Sequence, residues 1–241
     1  MVKTLGLIAG NGKLPELILR QAKAKGFRVA LCTVQGETDS SLGLLADARY
    51  SVRLGQLGRL VRFFNQEGAR EAVMAGKITK TNLFAGDVRP DLEMIKVLMN
   101  MRNHSDDSLL GGIADYLNSK DIQLLDITSF LTAGSLPEGG VLTKRKPSQK
   151  EWTDIEFGWK LAKEMGRLDI GQTVVVKNRA ILAVEAIEGT DEAIVRGGAL
   201  GSGDVVVVKV AKPDQDMRFD VPTIGLTTLK SLIQAKARAL A

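Results

Sequence analysis

Short apolar runs alternate with helical patterns along the first half of this chain, and that alternation constrains its fold more than any other feature. Leu5–Ala9, Arg28–Val34, Glu71–Ala75 and Gln123–Asp126 read as strands. Leu14–Lys25, Leu57–Glu67, Asp91–Met101 and Ser108–Asn118 read as helices, with Pro15 in the first turn of the first. Strands separated by helices run parallel, because each helix carries the chain back across a face of the sheet. The expected fold is therefore α/β, with a Rossmann-like parallel-sheet domain over residues 1–132. Residues 133–150, with glycines, prolines and the basic run Lys144-Arg145-Lys146, read as a linker. Beyond it a smaller α+β domain is expected over residues 151–241. Its elements are a helix (Trp152–Met165), an antiparallel pair (Thr173–Val176 and Ala180–Ala186), a helix (Asp191–Arg196), a strand (Asp204–Ala211) and a last helix (Leu226–Arg238).

Composition narrows the chemistry. Hydrophobic residues make up 44% and charged residues 25% of 241, which suits a folded globular protein. No apolar run spans a bilayer and the N-terminus lacks the regions of a secretory signal, so a cytoplasmic location is expected. The single cysteine, Cys32, excludes an intrachain disulfide and reads as core. The single histidine, His104, excludes a Ser-His-Asp triad and a histidine-rich dinuclear metal site. Net charge is +5, yet the lysines and arginines are spread out and aromatics are only 5%, so no nucleic-acid partner is expected. The positive excess suits an anionic small substrate or an anionic membrane surface. Met94, Met99 and Met101 read as helix packing, and Trp152 and Trp159 share a helix face as an interdomain staple.

Three constellations carry candidate chemistry. Gly10-Asn11-Gly12-Lys13 ends the first strand and opens the first helix, so its backbone N–H groups face an anion site. Pro15 replaces the third glycine of a dinucleotide fingerprint, which weakens a nicotinamide-dependent oxidoreductase. A second turn, Gly76-Lys77, opens at the same sheet edge, and the two turns together suit a nucleotide pocket. In the second domain, Glu185 sits in an apolar strand and needs a partner, for which Lys177 and Lys209 are candidates, while Glu188 points to the same cleft. Thr190 or Asp191 would cap the next helix. Finally, read as extended chain, Asp216, Arg218 and Asp220 share one face, opposite Met217, Phe219 and Val221. Two carboxylates flanking a guanidinium suit a divalent cation beside a phosphate, with Lys209 and Lys212 adding positive charge.

These segments also carry a resemblance. Ile8-Ala9-Gly10-x-Gly12-x-Leu14-Pro15, Asp106-Asp107-x-Leu109-Leu110 and Leu168-Asp169-Ile170-Gly171-Gln172 occur in that order. Leu182-Ala183-Val184-Glu185-Ala186-x-Glu188-Gly189-Thr190-Asp191 and Arg218-x-Asp220-x-Pro222-Thr223-Ile224-Gly225 follow. Together they resemble the UDP-2,3-diacylglucosamine diphosphatases of lipid A biosynthesis, of the LpxI type. The resemblance implies Mg²⁺-dependent hydrolysis of the pyrophosphate to UMP and 2,3-diacylglucosamine 1-phosphate. It makes Asp220 the essential acidic residue, acting through metal or water. Asp220 with Asp216, Glu185 or Glu188 would hold Mg²⁺, and Arg218, Lys209 and Lys212 would offset the diphosphate charge. Gly10, Asn11, Gly12, Lys13, Gly76, Lys77, Gln172 and Glu188 would contact substrate. A peripheral contact with the inner membrane and a homodimer are the further partners considered. Family members continue past this point into a further strand, so the chain is expected to be either a shortened natural form or a fragment that lacks part of the second domain. A non-catalytic UDP-sugar sensor is the rival from another class.

Overall fold

The computed structural model describes residues 2–78, 90–100, 106–131, 139–213, 216, 218 and 221–241. Met101, His104, Met217, Phe219 and Asp220, all named above, lie outside the described residues. The chain forms two units, Met1–Leu136 with Asp216–Asp220 and Pro137–Gln215 with Val221–Ala241.

The first unit contains β1 (Thr4–Ala9), α1 (Leu14–Ala24), β2 (Arg28–Val34), β3 (Ala48–Val52), α2 (Leu57–Gln66) and β4 (Glu71–Ala75). After these come α3 (Leu92–Asn100), α4 (Asp106–Asn118) and β5 (Gln123–Leu124). The sheet order is β3-β2-β1-β4-β5 and every pairing is parallel. α2 turns Leu57, Leu60, Val61, Phe63 and Phe64 inward onto this sheet, and Phe64, Leu117 and Ile122 are fully buried. Cys32 is buried in the same core, and burial pushes its thiol up to about 12. β3 escapes a sequence reading because it is an edge strand with Arg49, Tyr50 and Ser51 exposed, so no apolar run marks it. Met94 packs in the core as expected, whereas Met99 stands on the outer face of α3, 80% exposed.

The second unit contains α5 (Gln149–Arg167), β6 (Thr173–Lys177), β7 (Ala180–Val184), α6 (Thr190–Gly201), β8 (Val205–Lys209), α7 (Leu226–Gln234) and β9 (Ala237–Leu240). Its sheet order is β7-β6-β8-β9, with β6 antiparallel to both neighbours and β9 parallel to β8. Strand alternation sorts the valines into two cores. Val174, Val176, Val206 and Val208 pack with Ile155 and Ala162 of α5, while Val175, Val205 and Val207 pack with Ile194 of α6. Ser148 and Glu151 form a capping box at the start of α5. Buried Asp154 accepts from the N–H groups of Asn178 (3.0 Å) and Arg179 (2.6 Å), which hold left-handed φ angles in the β6–β7 turn. Trp152 and Trp159 are 42% and 47% exposed.

The end of the chain differs from the sequence reading. The last helix stops at Gln234, Lys236 takes φ 50°, and Ala237–Leu240 adds a strand beside β8. The run Ala235-Lys236-Ala237-Arg238-Ala239-Leu240 has strong helix propensity, but pairing with Val205–Val207 outweighs it. Among the described residues no helix is long and apolar enough to cross a membrane.

Candidate active-site residues

In the first unit the sheet order reverses between β1 and β4, so their carboxyl ends form the switch point where an open α/β sheet places ligands. Both glycine turns are there, but they close on each other. The N–H of Gly10 donates to the Ala75 carbonyl (2.8 Å), that of Asn11 to Lys77 (2.8 Å), and that of Lys77 back to Asn11 (3.1 Å). A Cβ on Gly10 would lie 2.6 Å from the Lys77 carbonyl oxygen, and one on Gly76 2.5 Å from that of Asn11. Glycine at these two positions serves the approach of the turns, and the N–H groups of Gly10 and Asn11 are engaged by backbone. An adjoining cavity of about 250 Å³ opens beside Gly12 and Lys13, towards the carboxyl end of β2. Glu16 on its wall pairs with Arg20 at 2.9 Å and Lys13 at 3.7 Å, and the Arg20 guanidinium holds the carboxyl below its usual range. Asp39 accepts from the N–H and hydroxyl of Ser41, which lower its pKa in the same way.

Asp216 and Arg218 belong to this unit. Arg218 curls back on Asp216. Its N–H and Nε donate to Oδ1 at 3.0 and 2.9 Å, and Nη2 donates to Oδ2 at 2.5 Å. These hydrogen bonds hold the Asp216 carboxyl low and, with the nearby charge of Asp115, raise Arg218. Arg218 lies in a turn, and Met217, Phe219 and Asp220 of the expected extended segment lie outside the described residues.

In the second unit a polar cluster gathers at one end of the sheet, where β6 begins and β7 and β8 end. Gly171 fits only without a side chain, since a Cβ would lie 2.2 Å from the Glu185 carbonyl oxygen. That contact seats the Gln172 N–H 3.4 Å from Oε2 of Glu185. The Glu185 carboxylate is 9% exposed, and its partner is the hydroxyl of Thr190, which donates to Oε1 at 2.9 Å. Lys209 donates to that hydroxyl (3.2 Å) and to the Thr223 carbonyl (3.2 Å). Lys209 thus meets Glu185 through Thr190, and Lys177 turns away to the carbonyls of Gly201 (2.7 Å) and Gly203 (2.9 Å). Thr190 is not a cap: α6 opens at Gly189, φ 86°, with no side-chain cap. Glu188 accepts from the Ala186 N–H (3.1 Å) and from Arg196. Burial pulls the Glu188 carboxyl upward, but its own backbone N–H, then Arg196 and the Ala186 N–H, outweigh it and hold the group below its usual range. Lys212 is paired with Asp169 at 2.5 Å. The amide oxygen of Gln172 is buried without a hydrogen-bond partner.

Thr190 and Asp169 are the organising residues that sequence reasoning missed. A threonine at a helix start reads as a cap, and Asp169 shows its role only through its left-handed backbone, φ 55°, and its lysine partner. The carboxylates named as metal ligands fare differently. Asp216 is engaged by Arg218, Glu185 by Thr190 and Gln172, and Asp220 lies outside the described residues. Among the described residues no three His, Cys, Asp or Glu side chains gather to hold a metal ion.

Comparison with known proteins adds the following. Residues 4–133 match the LpxI N-terminal domain family and residues 138–241 the LpxI C-terminal domain family. A curated relative from Caulobacter vibrioides, UDP-2,3-diacylglucosamine pyrophosphatase LpxI, is 32% identical over 249 residues, covering 97% of this chain and 86% of the relative. Among solved structures, a nucleoside-diphosphate-sugar epimerase from Pseudomonas aeruginosa aligns over 83% of this chain and 68% of its own, at 10% identity and TM-score 0.32. The biotin carboxylase domain of a thermophilic 2-oxoglutarate carboxylase aligns over 30% of this chain and 17% of its own, at 22% identity and TM-score 0.25. TM-scores at that level bear on neither fold nor function.

Proposed function

The chain belongs to the LpxI family, and from that premise we propose that it hydrolyses the pyrophosphate bond of UDP-2,3-diacylglucosamine, yielding UMP and 2,3-diacylglucosamine 1-phosphate for lipid A synthesis. The observation that carries the proposal is the match to both family domains, together with 32% identity to a relative of that activity across 97% of the chain. The cluster geometry supports it. Pyrophosphate hydrolysis is mostly a matter of neutralising charge and aligning water with the leaving group. Within the second unit Lys209 is held at the sheet end by two oxygens, so its ammonium is pre-oriented for a phosphate oxygen. Thr190 and Glu185 act as positioning residues for Lys209.

Asp220 is the proposed essential carboxylate. A magnesium requirement is proposed from the chemistry of the bond, because a dianionic leaving group needs charge compensation that a divalent cation supplies. Cytoplasmic action at the inner membrane is part of the same proposal. The test is incubation of the purified chain with UDP-2,3-diacylglucosamine, with Mg²⁺ and then with EDTA, reading UMP. UMP only with metal, and none from Asp220→Asn, is the expected result. UDP binding without UMP would instead establish a non-catalytic sensor, and full turnover by Asp220→Asn would remove that residue from the chemistry.

A further inference from the structure

Helix α7 is partly inverted: Leu232 packs half-buried against the core around Ile194, but two of its inward positions are polar. Thr228 and Ser231 face inward, each 7% exposed, while Leu226 and Ile233 face outward at 75% and 77%. Leu229, 47% exposed, joins them, and the 3-then-4 spacing puts all three on one stripe of the helix. The inversion has a packing cause. At its C-cap α7 meets α6 closely: a Cβ on Gly198 would come within 2.4 Å of the Ala235 Cβ, so only small side chains fit at that crossing. Leu226, Leu229 and Ile233 are left outside, where a surface helix ordinarily carries polar residues.

We infer that this face of α7 docks on an anionic lipid surface. Charge selects the occupant. From Val221 to Ala241 the chain has no acidic residue, and its ionisable side chains are Lys230, Lys236 and Arg238. Lys230 and Lys236 are exposed, and Lys230, four positions after Leu226 and three before Ile233, lies beside the stripe. An apolar stripe edged by a lysine, in a segment free of acidic residues, is the pattern of a helix that lies in the headgroup region, apolar side chains down and the ammonium among phosphates. A second copy of the chain fits less well, because a twofold contact would bring the same lysines together without a counter-charge. The inference deepens the proposed activity, since a diacylated substrate resides in such a surface. It places the enzyme against the layer that supplies its substrate.

The test is co-sedimentation of the full chain with phosphatidylcholine vesicles, with and without phosphatidylglycerol. The chain should pellet with the anionic vesicles and be released by salt. The double variant Leu226→Ser/Ile233→Ser should lose about tenfold or more in vesicle affinity. Its melting temperature should not change, because both side chains are already exposed. Activity separates this inference from the assigned reaction. In detergent micelles the double variant should match the wild type, and in vesicles it should fall behind. A wild type that turns over micellar substrate yet ignores anionic vesicles overturns the inference. So does a concentration-dependent dimer that the double variant abolishes, which would give the face to a second copy. Vesicle binding without turnover in either medium would leave the docking face standing and sink the reaction.

Discussion

Replacing Thr190 by valine deletes one hydroxyl at nearly constant volume, and it is the atom on which the second-unit cluster turns. That hydroxyl donates to the Glu185 carboxylate at 2.9 Å and accepts from the Lys209 ammonium at 3.2 Å. Glu185 is 9% exposed and would keep only the long Gln172 N–H contact at 3.4 Å. A hydrogen bond to a buried charge contributes about 1.5–3 kcal/mol, and partial solvent access argues for a value near the middle, about 2 kcal/mol. For a chain of 241 residues this corresponds to a fall in Tm of roughly 4–8 °C. Thr190→Ser keeps the hydroxyl and should lose well under half as much. A double-mutant cycle with Glu185→Gln should return a coupling of about 1–2 kcal/mol, because the two groups share one bond. The assay is thermal and urea unfolding of wild type and the four variants, followed by UMP release at saturating substrate. If Thr190→Val and Thr190→Ser melt within about 1 °C of each other, the hydroxyl does not hold Glu185. The account of how Lys209 is positioned then fails.

Further consequences can be checked independently. Gly171→Ala should destabilise by about 3 kcal/mol or more, since its Cβ would meet the Glu185 carbonyl oxygen at 2.2 Å; chemical denaturation reads this directly. Arg145, aided by the Ser148 cap and outweighing burial, holds Glu151 down to about 2 against an ordinary 4.5. A depressed carboxyl contributes stability that is present above pH 4.5 and lost as pH falls towards 2, so Glu151→Gln should flatten the acid limb of a pH–stability curve in that window. The Cys32 thiol, pushed up by burial to about 12, should be inert to a disulfide reagent at pH 8 in the native protein and react at once in urea. Arg218→Lys keeps the charge but loses the fork that engages both Asp216 oxygens. A fall of about tenfold or more in kcat/KM would match a fixed guanidinium, whereas no change would mean the pair is structural.

The parallel sheet and most of its helices were legible because each strand buried on both faces is a run of apolar residues between turn signals. Arg28–Val34 and Glu71–Ala75 coincide with the observed strands for that reason. β3 left no such trace, since an edge strand needs only one buried residue, Val52, to hold its register against β2. The chain end misled in the opposite sense: alanine-rich Ala235–Leu240 looks helical locally, and only the partner strand Val205–Val207 makes it extended.

The site follows the same division. The residue types, their order and the family were decided by sequence, because chemistry and ancestry are written one residue at a time. Tertiary structure alone decided that Gly10 and Gly76 serve each other's approach, that Arg218 folds onto Asp216, and that Thr190 stands between Glu185 and Lys209. It likewise turned Leu226, Leu229 and Ile233 outward. Hydrogen-bond partners and buried faces depend on which segments meet across the fold, and residues as distant as Glu185 and Lys209 carry no local signal of their meeting.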